Sequence, residues 1–326
     1  RGMRLTQDIL TFLTANGFEC KIESVCGSEV ICVSNKEGLK RIVLPVSITA
    51  ANPEDAQRQS ADLQETVRTL TEQSSCKMLL ITEDRWRSQR SMMEARLLAH
   101  LEAFFPVYAR NCEIRKIDKA EAAAFLEANH SYGDAACRYR YGMFLRRHTG
   151  WRSQIQLSNP DQEKNTEQNC NIREALKPGT LIAVAEFSNA RKWIKGEKII
   201  RSYEWTRYAS LPGVRINGGM GKMLKHFIKE VQPDDIMSYA DLEWSEGAVY
   251  EQLGFTLEDQ KEAVSFIIDC NTWERNAIRD SSPTHFTSIL DSGCPQEEAE
   301  GTEKEDIRFF RNLGSNKYRL KLTDYQ

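Results

Sequence analysis

No stretch of 18 consecutive apolar residues occurs in this chain, and no signal-peptide pattern is visible. A helical membrane span is therefore disfavoured, and a cytoplasmic, membrane-free setting is the expectation. Any C-x-x-C pair is also missing. The nine cysteines (Cys20, Cys26, Cys32, Cys76, Cys112, Cys137, Cys170, Cys270 and Cys294) are scattered and odd in number, which argues against a disulfide framework or zinc knuckle, so no metal site is expected. Positive charge is not in excess: 44 Lys and Arg face 47 Asp and Glu, for a net charge of -3. A domain that wraps nucleic acid by charge alone is thereby disfavoured, and only local basic patches remain to consider. No internal repeat is visible at periods of 20 to 50 residues.

What is present, 40% hydrophobic and 28% charged residues over 326 positions, describes a globular chain long enough for two or three domains, each with its own core. Leu5 to Asn16 has helical periodicity and meets a stop at Gly17. Strands are predicted at 18–24, 29–34 and 40–48, then a polar helix at 53–72, a strand at 77–82 and a helix at 88–105. This small α/β unit, residues 1–111, precedes a second unit, residues 112–326. Predicted strands there are 113–117, 139–146, 180–188, 199–209, 236–241, 265–269 and 317–322, the last as an edge strand; helices are predicted at 119–128, 219–231 and 245–253. Polar stretches at 153–177 and 281–306 read as exposed insertions. The expected fold class is α/β (α+β), a mixed central sheet flanked by helices and preceded by a smaller α/β domain.

The most informative stretch runs from Tyr203 to Phe255. A strand there leads into a turn bearing Gly213, Gly218, Gly219 and Gly221 at the start of an amphipathic helix. N–H groups in the first turn of a helix have no intrahelical partner and the helix dipole adds partial positive charge, so such a turn holds phosphate without needing a lysine. Arg215, Asn217, Gly218, Gly219, Met220, Gly221 and Lys222 form the candidate cradle.

From about Glu113 to Asp269 this order of elements resembles the GNAT acyltransferase family, on the run Arg215-Ile-Asn-Gly218-Gly219-Met-Gly221-Lys222 and the later Tyr250-Glu-Gln-Leu-Gly-Phe255. The resemblance implies acetyl-CoA or a related acyl-CoA as cofactor, its pyrophosphate on the glycine turn and a tyrosine of the next helix near the thioester sulfur. With Gly219 and Gly221 in the glycine slots, Ile216 stands where the family places Gln or Arg, and Arg215 lies one residue early. The backbone donors do not depend on that side chain. More narrowly, Phe125–His130, Tyr141–Phe144, Tyr203–Arg207 and Ser238–Ser245 resemble the GNAT-like C-terminal unit of phage-type homing-endonuclease proteins, in which it follows a nuclease domain related to very-short-patch-repair endonucleases. Glu83-Asp84-Arg-Trp86 and Tyr108–Ile114 are similar to the junction of such a pair. The nuclease half reads as degenerate here. Arg41 to Ile48 offers no acid to hold magnesium against a phosphodiester, and Glu83 and Asp84 read as a solvated turn.

Acyl transfer to an amine needs a base for the ammonium proton and an acid for the leaving thiolate. Tyr250 is the candidate acid, with packing on the sheet as the competing role. Glu204 is the candidate base, with an ion pair to Arg207 or Arg201 as its competitor. Asp241 ends a strand where α/β ligand sites commonly lie, so it is a catalytic candidate, against a capping role. Tyr239, Trp244 and His130 are candidate substrate contacts, His130 also sitting where it could cap a helix. Arg191, Lys192, Lys195 and Lys198 surround Trp193 as a basic-aromatic cluster, suited to a nucleic-acid backbone or to a solvated hairpin tip. The expected activity is direct acyl transfer to an amine acceptor, small or macromolecular. A non-catalytic nucleic-acid-binding module, or one that modifies nucleic acid, is the alternative, and the oligomeric state is left open.

Overall fold

The computed structural model describes residues 2–146, 176–245, 247–278 and 306–325, so the polar stretches expected as insertions lie almost wholly outside the described residues. Helix α1 (Leu5–Ala15) buries Leu5, Ile9 and Leu13 against one face of a four-stranded sheet. The strand order is β1 (Glu19–Val25), β2 (Ser28–Ser34), β3 (Lys40–Val46), β4 (Met78–Thr82). The first three strands are antiparallel, whereas β4 joins β3 in parallel. A parallel pair needs a crossover, and α2 (Pro53–Gln73) supplies it. Its start is set by Asn52, whose side chain accepts the Asp55 N–H at 2.8 Å, and by Pro53 at the first helical position. Leu63 and Leu70 of α2 pack on the other face of the sheet with Val30, Ile42, Leu44 and Leu80.

A short helix that was not expected, α3 (Glu83–Ser88), precedes the helix expected over 88–105, which is α4 (Arg90–His100) and ends earlier. The two are separated at Gln89, whose ψ of 44° lies outside the helical region. The chain then extends into β5 (Phe105–Tyr108), as Pro106 requires of the residue before it.

The larger sheet has eight strands. Read from one edge, it runs β6 (Cys112–Lys116), β7 (Tyr139–Leu145), β8 (Leu181–Phe187), β10 (Lys198–Ser210), β12 (Asp235–Asp241), β17 (Ser315–Lys321) and β13 (Thr256–Lys261), with β9 (Arg191–Lys195) paired to the start of β10. Helix α5 (Lys119–Asn129), capped by Asp118, packs on one face against Val184 and Ala209. On the other face lie α6 (Gly219–Val231) and α7 (Ala248–Gln252). There Phe227 stacks on Phe187 with ring centres 3.9 Å apart. This is the mixed, helix-flanked α/β architecture expected. No described helix is long and apolar enough to cross a membrane.

Two expectations are corrected. The edge position predicted for 317–322 belongs to β13: β17 is paired on both sides, and the exposed Thr-Leu-Glu-Asp-Gln-Lys of β13 is the kind of polar sequence an edge tolerates. Residues around the glycine turn also include a strand, β11 (Val214–Asn217), which pairs in parallel with β5. A ladder thus joins residues on either side of position 111.

Between β13 and β17 the chain forms a separate sheet of β14 (Ser265–Asp269), β15 (Glu274–Ala277) and β16 (Ile307–Arg311). Phe266, Ile268 and Phe310 cluster with Ile48, and Ala50 bridges Phe309. Ser60 Oγ donates to the Asn312 carbonyl at 3.0 Å. This segment therefore rests on the N-terminal unit.

A buried ionic lattice completes the junction. Arg275 of β15 grips Asp84 through Nε (2.7 Å) and Nη2 (3.0 Å), and Glu243, just beyond β12, through Nη1 (2.7 Å) and Nη2 (3.1 Å). Arg85 Nε and Thr82 Oγ1 each donate to Glu243 Oε1 at 3.1 Å. Asp84 is 1% exposed, so it is not the solvated turn residue expected from its sequence. Burial would raise the Glu243 carboxyl, but the adjoining Arg275 and Arg85 prevail and bring it down to about 2.

Arg275→Met should cost about 3–5 kcal/mol, since it strands buried Asp84 and removes the Arg275 contacts from Glu243. The check is the denaturant midpoint, and a loss below about 1 kcal/mol, typical of exposed pairs, would refute the lattice. A depressed carboxylate contributes stability that is present above its unfolded value of about 4.3 and lost as pH falls through the folded value. Wild-type stability should therefore drop between about pH 4.3 and pH 2, and Glu243→Gln should flatten that drop.

Candidate active site

The site begins where two neighbouring strands part. β10 and β12 are paired in parallel only at Ser202↔Asp235, Tyr203↔Ile236 and Glu204↔Met237. Beyond Glu204, β10 continues against β8, while β12 continues against β17. A register shift between Trp205 and Arg207 accompanies the parting, as a bulge bends its strand away from a neighbour. At the first step of the gap a side chain takes over from the ladder: Ser238 Oγ is 3.1 Å from the Trp205 carbonyl and 2.8 Å from the Tyr250 hydroxyl. Serine has one proton and the carbonyl can only accept. Both contacts are satisfied when Tyr250 donates to Ser238 and Ser238 donates to Trp205.

Tyr250 stands in that gap, stacked on Tyr318 with ring centres 5.5 Å apart and edge-on to Trp205 at 6.2 Å. Burial raises its hydroxyl pKa, so it stays protonated at neutral pH. It packs on the sheet, and its hydroxyl lies at the parting.

The glycine turn adjoins the same gap. Gly218 caps α6 with φ of 77°, a left-handed conformation that glycine adopts without penalty. Lys222 N–H bonds the Gly218 carbonyl at 3.0 Å, so Gly219, Met220 and Gly221 supply the unpartnered N–H groups of the first turn. No side chain caps them, and no acid lies in that turn to repel an anion. A Cβ on Gly219 would come within 2.7 Å of the Tyr208 hydroxyl and 2.9 Å of Ile216, whereas one on Gly221 would meet only Leu253, at 3.4 Å. Glycine at 219 is thus required by packing against Tyr208 and Ile216, whereas position 221 has room for a side chain. The flanking candidates contribute less. The Arg215 guanidinium lies over the Phe104 ring, Asn217 is exposed on β11, and Met220 packs toward the core. The Lys222 ammonium is held by the Ala109 carbonyl at 2.9 Å and by that of Cys112, and its N–H by the Gly218 carbonyl, so neither is left to an anion on the turn.

Tyr203, Trp205, Ala185 and Phe187 face the main core, so Glu204 and Glu186 share the opposite face, the one covered by α5. Glu204 is half-buried. Burial raises its pKa, opposed by Arg207, Arg191 and Lys317. Among the described residues neither competing ion pair forms: Arg207 donates to the Gly133 and Thr206 carbonyls, and Arg201 to Tyr203 and the Val231 carbonyl. Glu186 was not among the expected residues. It is fully buried, both oxygens lack a hydrogen-bond partner among the described residues, and Arg140 Nε is 4.0 Å away. Burial and neighbouring Asp134 raise its carboxyl to about 7. Its signal was available, a lone acid in the apolar strand Leu-Ile-Ala-Val-Ala-Glu-Phe.

At the far end of β12 the candidates Asp241 and His130 converge. Asp241 accepts the Tyr132 hydroxyl at 2.6 Å and the Glu243 N–H at 3.0 Å. Its carboxylate thereby organises the turn after β12 rather than capping a helix, and burial together with Glu243 raises its pKa. His130 Nδ1 accepts the Tyr132 N–H at 3.1 Å, so its proton sits on Nε2; burial, with Arg207 and Arg85 nearby, brings the imidazole down to about 4 and keeps it neutral. Arg85 reaches over from the N-terminal unit to lie 4.7 Å above the Tyr132 ring, with Nη1 unpartnered among the described residues. Trp244 is half-exposed beneath the Arg96 guanidinium, 3.9 Å away, and Tyr239 is exposed on β12, apart from this group.

No protein-family model matches the chain, and no curated protein matches it in sequence. Among solved structures it is similar to yncA of Salmonella typhimurium, assigned as an acetyltransferase and solved with its cofactor acetyl-CoA. The TM-score is 0.31 and the identity 15%, over 66% of this chain and 96% of that one.

A carboxyl whose folded pKa is raised holds its proton longer than in the unfolded chain, so stability falls as pH climbs from the unfolded value, about 4.3, to the folded one. For Glu186 that interval ends near pH 7. Glu186→Gln should therefore be more stable than wild type at pH 8 and indistinguishable from it at pH 4, as measured by urea unfolding. A variant less stable at pH 8 would show that the carboxylate is satisfied by partners of its own.

Proposed function

We propose that the chain is an acyl-CoA-dependent N-acyltransferase that passes an acyl group directly from the thioester to an amine acceptor. The observation that carries this reading is one juxtaposition: the parting of β10 from β12, the open glycine turn at the start of α6, and the protonated Tyr250 phenol between them. It matches what the GNAT resemblance implies, a central strand leading into a phosphate-binding turn with a tyrosine in the next helix.

The chain's residues fit such a cofactor. Three backbone N–H groups and the positive end of α6 suit a pyrophosphate, and the unpaired edge of β10 past Glu204 offers peptide groups to an amide-bearing arm. Bound acyl-CoA would supply an acyl group activated as its thioester. On the α5 face, Glu204 receives the ammonium proton, directly or through water, with its pKa raised by burial into a more basic range. Tyr250 O–H gives its proton to the departing thiolate, and Ser238 Oγ, 2.8 Å away, can turn its O–H toward the phenolate left behind as a hydrogen-bond donor until solvent returns the proton. Asp241, held by Tyr132, positions the turn that borders the acceptor side.

Calorimetric titration with acetyl-CoA should show saturable binding that Gly221→Asp abolishes. That substitution adds a charge at a position where the Cβ itself is tolerated. Tyr250→Phe should leave cofactor affinity intact and lower turnover by about a hundredfold or more. Absence of acetyl-CoA binding by the folded wild-type protein would overturn the proposal.

A further inference from the structure

β9 and the first residues of β10 form a ribbon that leaves the sheet. Lys198 to Arg201 pair with β9 alone, since β12 joins only at Ser202 and β8 only at Trp205. The tip is the two-residue turn Gly196-Glu197, with Gly196 at φ of 62°, as a type II′ hairpin turn demands of its first position. The two faces of the ribbon differ. On one, Trp193 donates to Ser202 Oγ at 2.8 Å and sits edge-on to Tyr325. On the other, Ile194 and Ile199 are directly opposed and are 76% and 63% exposed.

Arg191, Lys192, Lys195 and Lys198 are all exposed, and among the described residues none is ion-paired with a carboxylate. The ribbon's one acid is Glu197 at the tip. In a chain of net charge -3 this is a local concentration of a single sign. Four cations on a narrow arm, none paired with a carboxylate among the described residues although Lys198 also donates to the Asp324 carbonyl at 3.4 Å, complement a polyanion.

We propose that the β9–β10 ribbon is a docking element for double-stranded nucleic acid. A two-stranded ribbon fits a major groove about 12 Å wide, its cations reach the flanking phosphates, and Ile194 with Ile199 offers apolar contact to base methyl groups. A single strand is a poorer match, because stacking needs an exposed aromatic ring and Trp193 is turned onto Tyr325. Arg191 pairs with Ser202, two residues before Glu204, so a duplex on the ribbon lies beside the acceptor face.

Fluorescence anisotropy of a short labelled DNA duplex with the full chain tests this. With four phosphate contacts the affinity should fall about a hundredfold between 50 and 200 mM salt. The combined Lys192→Ala, Lys195→Ala and Lys198→Ala variant should retain the wild-type melting temperature and reduce the log–log salt slope to about one. Lys195→Ala alone should lower the slope by about one, which guards against a folding failure of the triple variant. The proposal is overturned if the wild type does not bind at 50 mM salt, if the slope survives in a folded triple variant, if single-stranded DNA binds more tightly than duplex, or if phosphatidylserine vesicles are preferred. It does not depend on acyl-CoA, so the triple variant should titrate with acetyl-CoA as the wild type does.

Discussion

The arrangement depends first on the burial of two arginines and two carboxylates among elements distant in sequence. Taking such groups out of water costs several kcal/mol each, and only close, well-aligned partners offset that cost. Arg275 meets Asp84 with two nitrogens and Glu243 with two contacts more, and Arg85 and Thr82 supply the remaining donors. These contacts tie α3, β15 and the turn after β12 to one another. Arg96 reinforces them, donating to the carbonyls of Leu80, Glu243 and Trp244. Because Glu243 is two residues from Asp241, the lattice also anchors one wall of the candidate site. The N-terminal unit thereby contributes to a cleft that the larger sheet opens.

That cleft is made by a change of partner rather than by a loop. β10 pairs with β9 alone along its first residues, with β9 and β12 at Ser202, with β12 at Tyr203 and Glu204, and with β8 alone from Trp205 onward. Each change frees peptide groups on one edge, and the freed edges mark the ribbon at one end and the Tyr250 gap at the other. A single strand thus connects a surface arm to a buried phenol through Glu204.

Much of this was legible in the sequence where local chemistry decides structure. The helix from Gly219 to Val231 follows from its glycine start and its strong apolar stripe, and α2 from Asn52-Pro53. The break at Gln89 carries no proline or glycine and leaves no mark in periodicity. The pairing of β11 with β5 and the placement of β17 inside the sheet are decided by partners far along the chain, which hydrophobic pattern does not specify. Among site residues, the glycine turn was read from its own sequence, while Asp84 and Arg275, 191 residues apart, gave no sign of meeting. Glu186 is the instructive omission. An acid inside an apolar strand conflicts with its surroundings, and such conflicts tend to fall at working positions.

The small β14–β16 sheet is carried at the tip of a hairpin. β13 and β17 pair directly through Lys261↔Ser315, and Gly314, with φ of 80°, sits so close to the Lys261 carbonyl that no side chain could be accommodated there. The two ends of the excursion are thus one strand spacing apart, and the pair could be closed by a tight turn without disturbing the ladder. During synthesis this has a temporal meaning. β12 emerges with an open edge that stays uncovered until Ser315–Lys321 follows, so the central sheet is completed only after the β14–β16 segment has been made.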